Sequence, residues 1–231
     1  MAEEGVIKFD LRHRNTRAAE SPEDLHVLNA WREVLWRLHL VGQDPERYGG
    51  YGFGNVSLRL APFDAPVNRR RFLISATQTG GLAALDDIHY TVIDEYDPAK
   101  NRIVSTGALP PSSESLTHGM IYNMDDDIRA ILHVHSPDIW KSAGEAGIPI
   151  TDARVAYGTP EMAVEVARLF RQTNVRQSRL FAMGGHRDGM IAFGTTADEA
   201  GRVLIDALVA SLALQQVRHS AGNNTRHTNT T

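Results

Sequence analysis

Along the chain, short runs in which apolar residues alternate or cluster are separated by longer runs in which they recur every three or four positions. In "SPEDLHVLNAWREVLWRLHLVG" the residues Leu25, Leu28, Trp31, Leu35 and Leu38 share one face of a 3.6-residue period. Ser21 is placed to cap that helix, Pro22 to occupy its first position and Gly42 to stop it. "NVSLRL", "RFLIS" and "IHYTVIDEY" carry β-branched and apolar residues between the turn signals "APFDAP" and "YDPAKN", which predicts successive strands. After "PPSSES" the pattern predicts a helix from Glu114 to Asn123, then a buried strand in "IRAILHVH". "SPDIWKSAGEAG" predicts a helix opened by Ser-Pro and closed by glycine, and "YGTPEMAVEVARLFRQ" repeats the device with Thr159 and Pro160. "RLFAM" and "GMIAFG" read as strands, and "TTADEAGRVLIDALVASLALQQVRH" opens with a capping box, Thr196 to Glu199, before a long striped helix. Strands and helices mix without strict alternation, so a mixed sheet flanked by helices is expected.

Length and composition narrow this picture. With 231 residues, 42% of them hydrophobic, no internal repeat and no linker-like stretch, one domain over residues 1–218 is expected, followed by a polar tail at 219–231. The 24 basic and 28 acidic residues form no long run of either sign, which argues against nucleic-acid and membrane-surface partners and leaves a small polar ligand. No segment approaches ~18–20 consecutive apolar residues, and "MAEEGVIKFDLRHR" lacks the order of a secretory signal, so a cytoplasmic protein is expected. The absence of cysteine excludes disulfides, thiol nucleophiles and thiolate metal sites. Any bound metal must therefore be held by imidazole and oxygen.

That condition makes "AILHVHSPDIW" the most informative stretch. In a strand, His133 and His135 point to one face, roughly 6 to 7 Å apart along the backbone. Two readings stand: a shared metal ion, or one hydrogen-bonded core histidine beside one at a strand end. A catalytic nitrogen site needs a third ligand, and His186 in the glycine-flanked turn of "FAMGGHRDGMIAFG" is the candidate. In "LPPSSESLTHGMIY", Ser112 and Ser113 can offer hydroxyls and amides to an anion at a helix start, or serve only as a cap. Glu114 follows them as a candidate acid–base group, and His118, four residues on, shares its helix face as a candidate partner of the ligand shell. Gly50, Gly52 and Gly54 precede "NVSLR" and follow a helix, the reverse of a dinucleotide fingerprint; two readings fit the order better, a turn presenting Asn55 and backbone amides to a ligand or a plain tight turn.

"GNVSLR", "ISATQTGG", "PPSSESLTHGMIY", "AILHVHSP", "YGTPEMA" and "GGHRDGMIAFG", in that order over residues 25–215, resemble the class II aldolase/adducin superfamily. The resemblance implies a three-layer α/β/α fold around a central mixed, largely antiparallel sheet. It implies that His133, His135 and His186 bind a divalent metal, most often zinc with manganese or ferrous iron as alternatives, and that Glu114 is the catalytic acid–base. It places Asn55, Thr79, Gly80, Ser112 and Ser113 in a pocket that cradles a substrate phosphate, with Thr77 as the alternative to Thr79 because "ISATQTGG" is longer than the family's usual stretch. The implied activity is that of a metal-dependent lyase acting on a hydroxy-carbonyl small molecule through a metal-stabilised enediolate, in a homotetramer. Epimerases, dehydratases, decarboxylases, iron-dependent oxygenases and a non-catalytic scaffold share the fold. Two departures stand out: the segment after His135 is short, and no aromatic residue follows Phe193, so the tyrosine proton donors of the aldolases have no evident counterpart.

Overall fold

The computed structural model describes residues 6–17 and 22–227. Ten strands are found among them: β1 (Asp10–Asn15), β2 (Gly42–Gln43), β3 (Gly52–Phe53), β4 (Asn55–Arg59), β5 (Phe72–Ser75), β6 (Tyr90–Asp97), β7 (Arg102–Gly107), β8 (Ala130–His135), β9 (Leu180–Ala182) and β10 (Gly189–Gly194). Eight of them form one sheet in the order β1-β7-β6-β5-β4-β8-β10-β9, and β2 pairs with β3 apart from it. Within the large sheet only β1 and β7 run parallel, so the sheet is mixed and largely antiparallel, as expected.

The helices α1 (Leu25–Arg37), α2 (Ser115–Met124), α3 (Pro137–Ser142), α4 (Pro160–Gln172), α5 (Val175–Ser178) and α6 (Ala197–His227) cover both faces. On one face, Leu28 and Leu35 of α1, Ile139 of α3 and Leu204 of α6 pack on Val56, Leu132, Val134 and Met190. On the other, Leu116 and Ile121 of α2 and Met162, Val166 and Leu169 of α4 pack on Phe72, Ile131, Phe181 and Ile191. Alternate residues of the central strands thus feed two separate cores, which is why β8 reads as a continuous apolar run rather than an alternating one. Each such Leu or Ile, fully buried, contributes roughly 1.5–3 kcal/mol.

Local chemistry sets the helix ends. Ser136 Oγ accepts from Ile139 N (3.3 Å) at the start of α3, and Thr159 Oγ1 from Met162 N (3.4 Å) at the start of α4, each with proline next in the chain. The first helix differs from expectation at both ends. Leu25 N donates to Pro22 O (3.0 Å) in a turn, Asp24 is the cap position, and the predicted cap Ser21 lies outside the described residues. At the other end His39 adopts a left-handed φ of 57°, and Leu40 N reaches back to Leu35 O (2.9 Å), which stops the helix before Gly42. The predicted box at α6 is shifted by one residue: Thr196 Oγ1 accepts from Glu199 N (3.1 Å), but Glu199 Oε2 accepts from Thr195 N (2.8 Å). α6 then continues to His227, so the expected tail boundary at residue 219 falls inside a helix. Its stretch Ala197–Arg218 is long and apolar enough to cross a membrane by length and composition, and its N-terminal part, at Ala200 and Leu204, packs on the sheet.

Candidate metal centre

The central position of β8 fixes two of the three candidate ligands. His133 lies between Asn55 of β4 and Ile191 of β10, and His135 lies opposite Gly189, with its own N–H bound to Leu40 O (2.8 Å). The β9–β10 turn supplies the third: His186 N donates to Met183 O (3.1 Å), and Gly189 N returns to His186 O (2.9 Å). Gly189 keeps this turn tight against the ligands: a Cβ there would sit 3.0 Å from His186 O, 3.2 Å from His186 Cγ and 3.4 Å from His133 Cε1. The three rings converge, with one ligand nitrogen from each lying within 4.8 Å of the others and ring centroids 4.7 to 5.2 Å apart.

All three imidazoles are buried. Burial, together with the charges of His186 and His133, pushes His135 well below its ordinary range, so the ring is neutral and able to ligate. His133 Nδ1 lies 3.1 Å from Met190 O; donation to that carbonyl leaves the Nε2 lone pair for a metal. Three imidazoles crowded in a low-dielectric interior offer a set of nitrogen donors that fits a divalent cation, with coordination positions left for a small ligand.

Glu114, the cap residue of α2, is 1% exposed. Its Oε1 lies 3.2 Å from His186 Nδ1, and its Oε2 accepts from Thr117 Oγ1 (2.8 Å). Burial alone pushes this carboxyl up, but the hydrogen bond and charge of His186, the charge of His133 and the Thr117 hydroxyl outweigh it and bring the pKa down to about 2. The group is therefore an anion at neutral pH, facing the histidine cluster. His118 is fully buried one helical turn on, with Nδ1 2.8 Å from Ser57 Oγ, which also lies 2.8 Å from Tyr122 Oη. It bonds to Ser57 rather than to any of the three clustered histidines.

Beside the cluster, Gly52, Gly54, Asn55, Ala76, Thr77, Gln78, Gly80, Ser112 and Ser113 line one small polar cleft. Asn55, Gly80, Ser112 and Ser113 are thus brought together in one cleft, but Thr79 is not among its lining residues. Gln78 is left-handed (φ 59°), so the turn rotates Thr79 inward, where its hydroxyl donates to Ala76 O (2.8 Å), and Thr77 faces the cleft instead. Buried Arg32 clamps this loop through the carbonyls of Thr79 and Gly80 (2.9 Å each), Leu82 and Ala83 (3.0 Å).

Several site residues lie outside the sequence-based candidates. Tyr157 stacks on His186 (centroids 4.4 Å), with Lys8 Nζ 3.4 Å from the centre of the tyrosine ring. Tyr48 meets His135 edge-on (4.5 Å) and donates to Asp188 Oδ2 (2.8 Å). The glycine-rich run around Tyr48 was a signal for a special turn, but nothing local pairs it with Asp188.

Residues 46–212 match the family model for the class II aldolase and adducin N-terminal domain, and the chain belongs to that family. The chain is 32% identical over 117 residues to the probable L-ribulose-5-phosphate 4-epimerase UlaF of Mycoplasma pneumoniae, a match covering 49% of this chain and 42% of the relative. The match thus takes in less than half the length of that relative. Among solved structures, L-fuculose-1-phosphate aldolase of Thermus thermophilus superposes with a TM-score of 0.60 at 20% identity, covering 85% of this chain and 95% of the other. The sugar-phosphate aldolase of Thermotoga maritima gives 0.59 at 18% identity, covering 84% and 96%. Both share the fold. Enzymes of this superfamily include aldolases and epimerases, and a divalent metal is typical of the family.

Proposed function

We propose that the protein is a metal-dependent lyase of the class II aldolase type, cleaving or forming a carbon–carbon bond in a hydroxy-carbonyl small molecule. The observation that carries this reading is the buried carboxylate of Glu114 set against a cluster of three buried imidazoles. His133, His135 and His186 would hold the cation, zinc in the first instance. When bound, it supplies Lewis-acid polarisation of a carbonyl and its neighbouring hydroxyl, worth several kcal/mol of charge stabilisation. Glu114 acts as the acid–base: Thr117 holds Oε2, and Oε1, which faces His186 Nδ1, takes and returns the substrate proton. A positioned carboxylate of this kind contributes roughly 100- to 10,000-fold in rate. The cleft of Asn55, Thr77, Gly80, Ser112 and Ser113 orients the substrate, its hydroxyls and amides suiting a phosphate or carboxylate group.

The resemblance to an epimerase over half of the chain favours a second reading, stereochemical inversion of a sugar phosphate at the same centre. A glutamate at position 114 speaks for the lyase, since epimerases of this fold resemble one another in carrying aspartate there. The test is a screen of phosphorylated and unphosphorylated hydroxy-ketones and keto-acids with zinc, manganese and ferrous iron, followed by product analysis. The lyase reading expects an aldehyde fragment, a loss of about 100-fold or more in Glu114→Gln, and nearly unchanged metal content in that variant. Inversion without cleavage supports the epimerase; full activity in Glu114→Gln removes this residue from the chemistry.

A further inference from the structure

We propose that Tyr48 and Asp188 form a positioning latch that holds His135 and the His186 turn in ligating register. Metal affinity then depends on one hydrogen bond between residues 140 apart in the chain. The inference rests on the metal-centre reading above and extends it to residues that the resemblance does not assign.

The backbone is the first observation. Tyr48 (φ 51°) and Asp188 (φ 63°) both occupy the left-handed region that L-residues avoid, and Tyr48 is followed by two further left-handed residues, Gly49 (71°) and Gly50 (80°). Aspartate tolerates this conformation, whereas for a bulky tyrosine it is an outlier that the surrounding contacts must hold in place. What the conformation gains is the placement of the ring, edge-on to His135 at 4.5 Å and to Phe53 at 5.0 Å. The hydroxyl then donates 2.8 Å to Asp188 Oδ2 and accepts from Arg47 Nη2 at 2.9 Å.

Asp188 joins the two halves of the cluster. Its carbonyl accepts from Ser136 N (2.8 Å), the residue after His135, while its side chain holds Tyr48 and its chain position is two residues beyond His186. The residue is 5% exposed, and its other charged contact, Arg187 Nε at 3.6 Å, comes from a side chain that is mostly exposed. Tyr48 thus braces the ring of one ligand while its partner braces the turn of another. Interactions that orient ligands in this way typically change metal affinity by about 10- to 100-fold when removed.

The test uses the full chain and zinc itself, with the dissociation constant measured by chelator competition and release followed as a rate. Tyr48→Phe removes only the hydroxyl, Asp188→Gly removes the carboxylate while tolerating the left-handed backbone, and Asp188→Asn keeps an acceptor. The latch predicts zinc affinity about tenfold weaker in Tyr48→Phe and Asp188→Gly, no further loss when the two are combined, and recovery in Asp188→Asn. It also predicts that the first two variants lower the melting temperature of the zinc-loaded protein more than that of the metal-free protein. Wild-type zinc affinity in Tyr48→Phe and Asp188→Gly, with any loss confined to metal-free stability, would overturn the latch alone. Failure of the wild type to take up zinc, manganese or ferrous iron would overturn the metal-centre reading and the latch with it.

Discussion

His118 lies fully buried between α2 and the sheet, its Nδ1 on Ser57 Oγ and its Nε2 without a hydrogen-bond partner. Burial, reinforced by the charge of His133 and opposed by that of Glu114, lowers its pKa from 6.5 to about 3. The unfolded chain therefore binds a proton at this residue over a range in which the folded chain does not. Stability from this group is fully present above pH 6.5 and is lost as pH falls toward the folded value of about 3. Between pH 7 and pH 5 the linkage amounts to about 2 kcal/mol, from an unfolded chain largely protonated at pH 5 and a folded one still neutral. His118→Asn isolates the term, since asparagine retains a polar group near Nδ1 but does not titrate. The packing cost of the lost ring is the same at both pH values and cancels in the difference, as do the contributions of the clustered histidines. Urea unfolding of metal-free protein should show wild type losing about 2 kcal/mol more than His118→Asn between pH 7 and pH 5. Equal losses in the two proteins would refute the buried neutral imidazole.

Gly80→Ala places a Cβ 2.4 Å from Gly42 O and 2.8 Å from Phe53 N, so backbone must move where β2 and β3 meet the cleft. A drop of about 1–3 kcal/mol in urea-derived stability is expected, and an unchanged midpoint would contradict the packing. The two cleft threonines should separate: Thr79→Val costs about 1 kcal/mol of stability through the lost bond to Ala76 O. Thr77→Val should instead raise KM for an anionic substrate with little change in stability, and the reverse pattern would restore Thr79 to the cleft.

Much of this architecture is legible where the determining interactions are local. The Ser-Pro and Thr-Pro starts of α3 and α4 work through a hydroxyl that reaches an amide three residues ahead, and both stand where the pattern puts them. β4, β5, β6, β8 and β10 announce themselves because their apolar residues feed the two cores directly. β1 does not: "DLRHRN" exposes charged positions on an edge strand and is held by a parallel partner some 90 residues away in sequence, as in Asp10↔Arg102. The three histidines were legible from spacing and resemblance together, since two share a strand face and the third sits in a marked turn. Tyr48, Asp188 and Tyr157 were not, because their roles depend on contacts between distant segments and on left-handed backbone that residue type does not announce. Thr79 was misplaced by a single turn residue, Gln78, whose conformation decides which hydroxyl faces the cleft.

The claim on which the account depends is that His133, His135 and His186 jointly grip one divalent cation. Its most direct test is elemental analysis of protein purified without added metal, alongside single alanine variants at the three histidines. About one equivalent of a divalent metal per chain in wild type, lost in each variant, is the predicted result. Metal-free wild type that takes up none on titration with zinc, manganese or ferrous iron, or variants that keep a full equivalent, would contradict it.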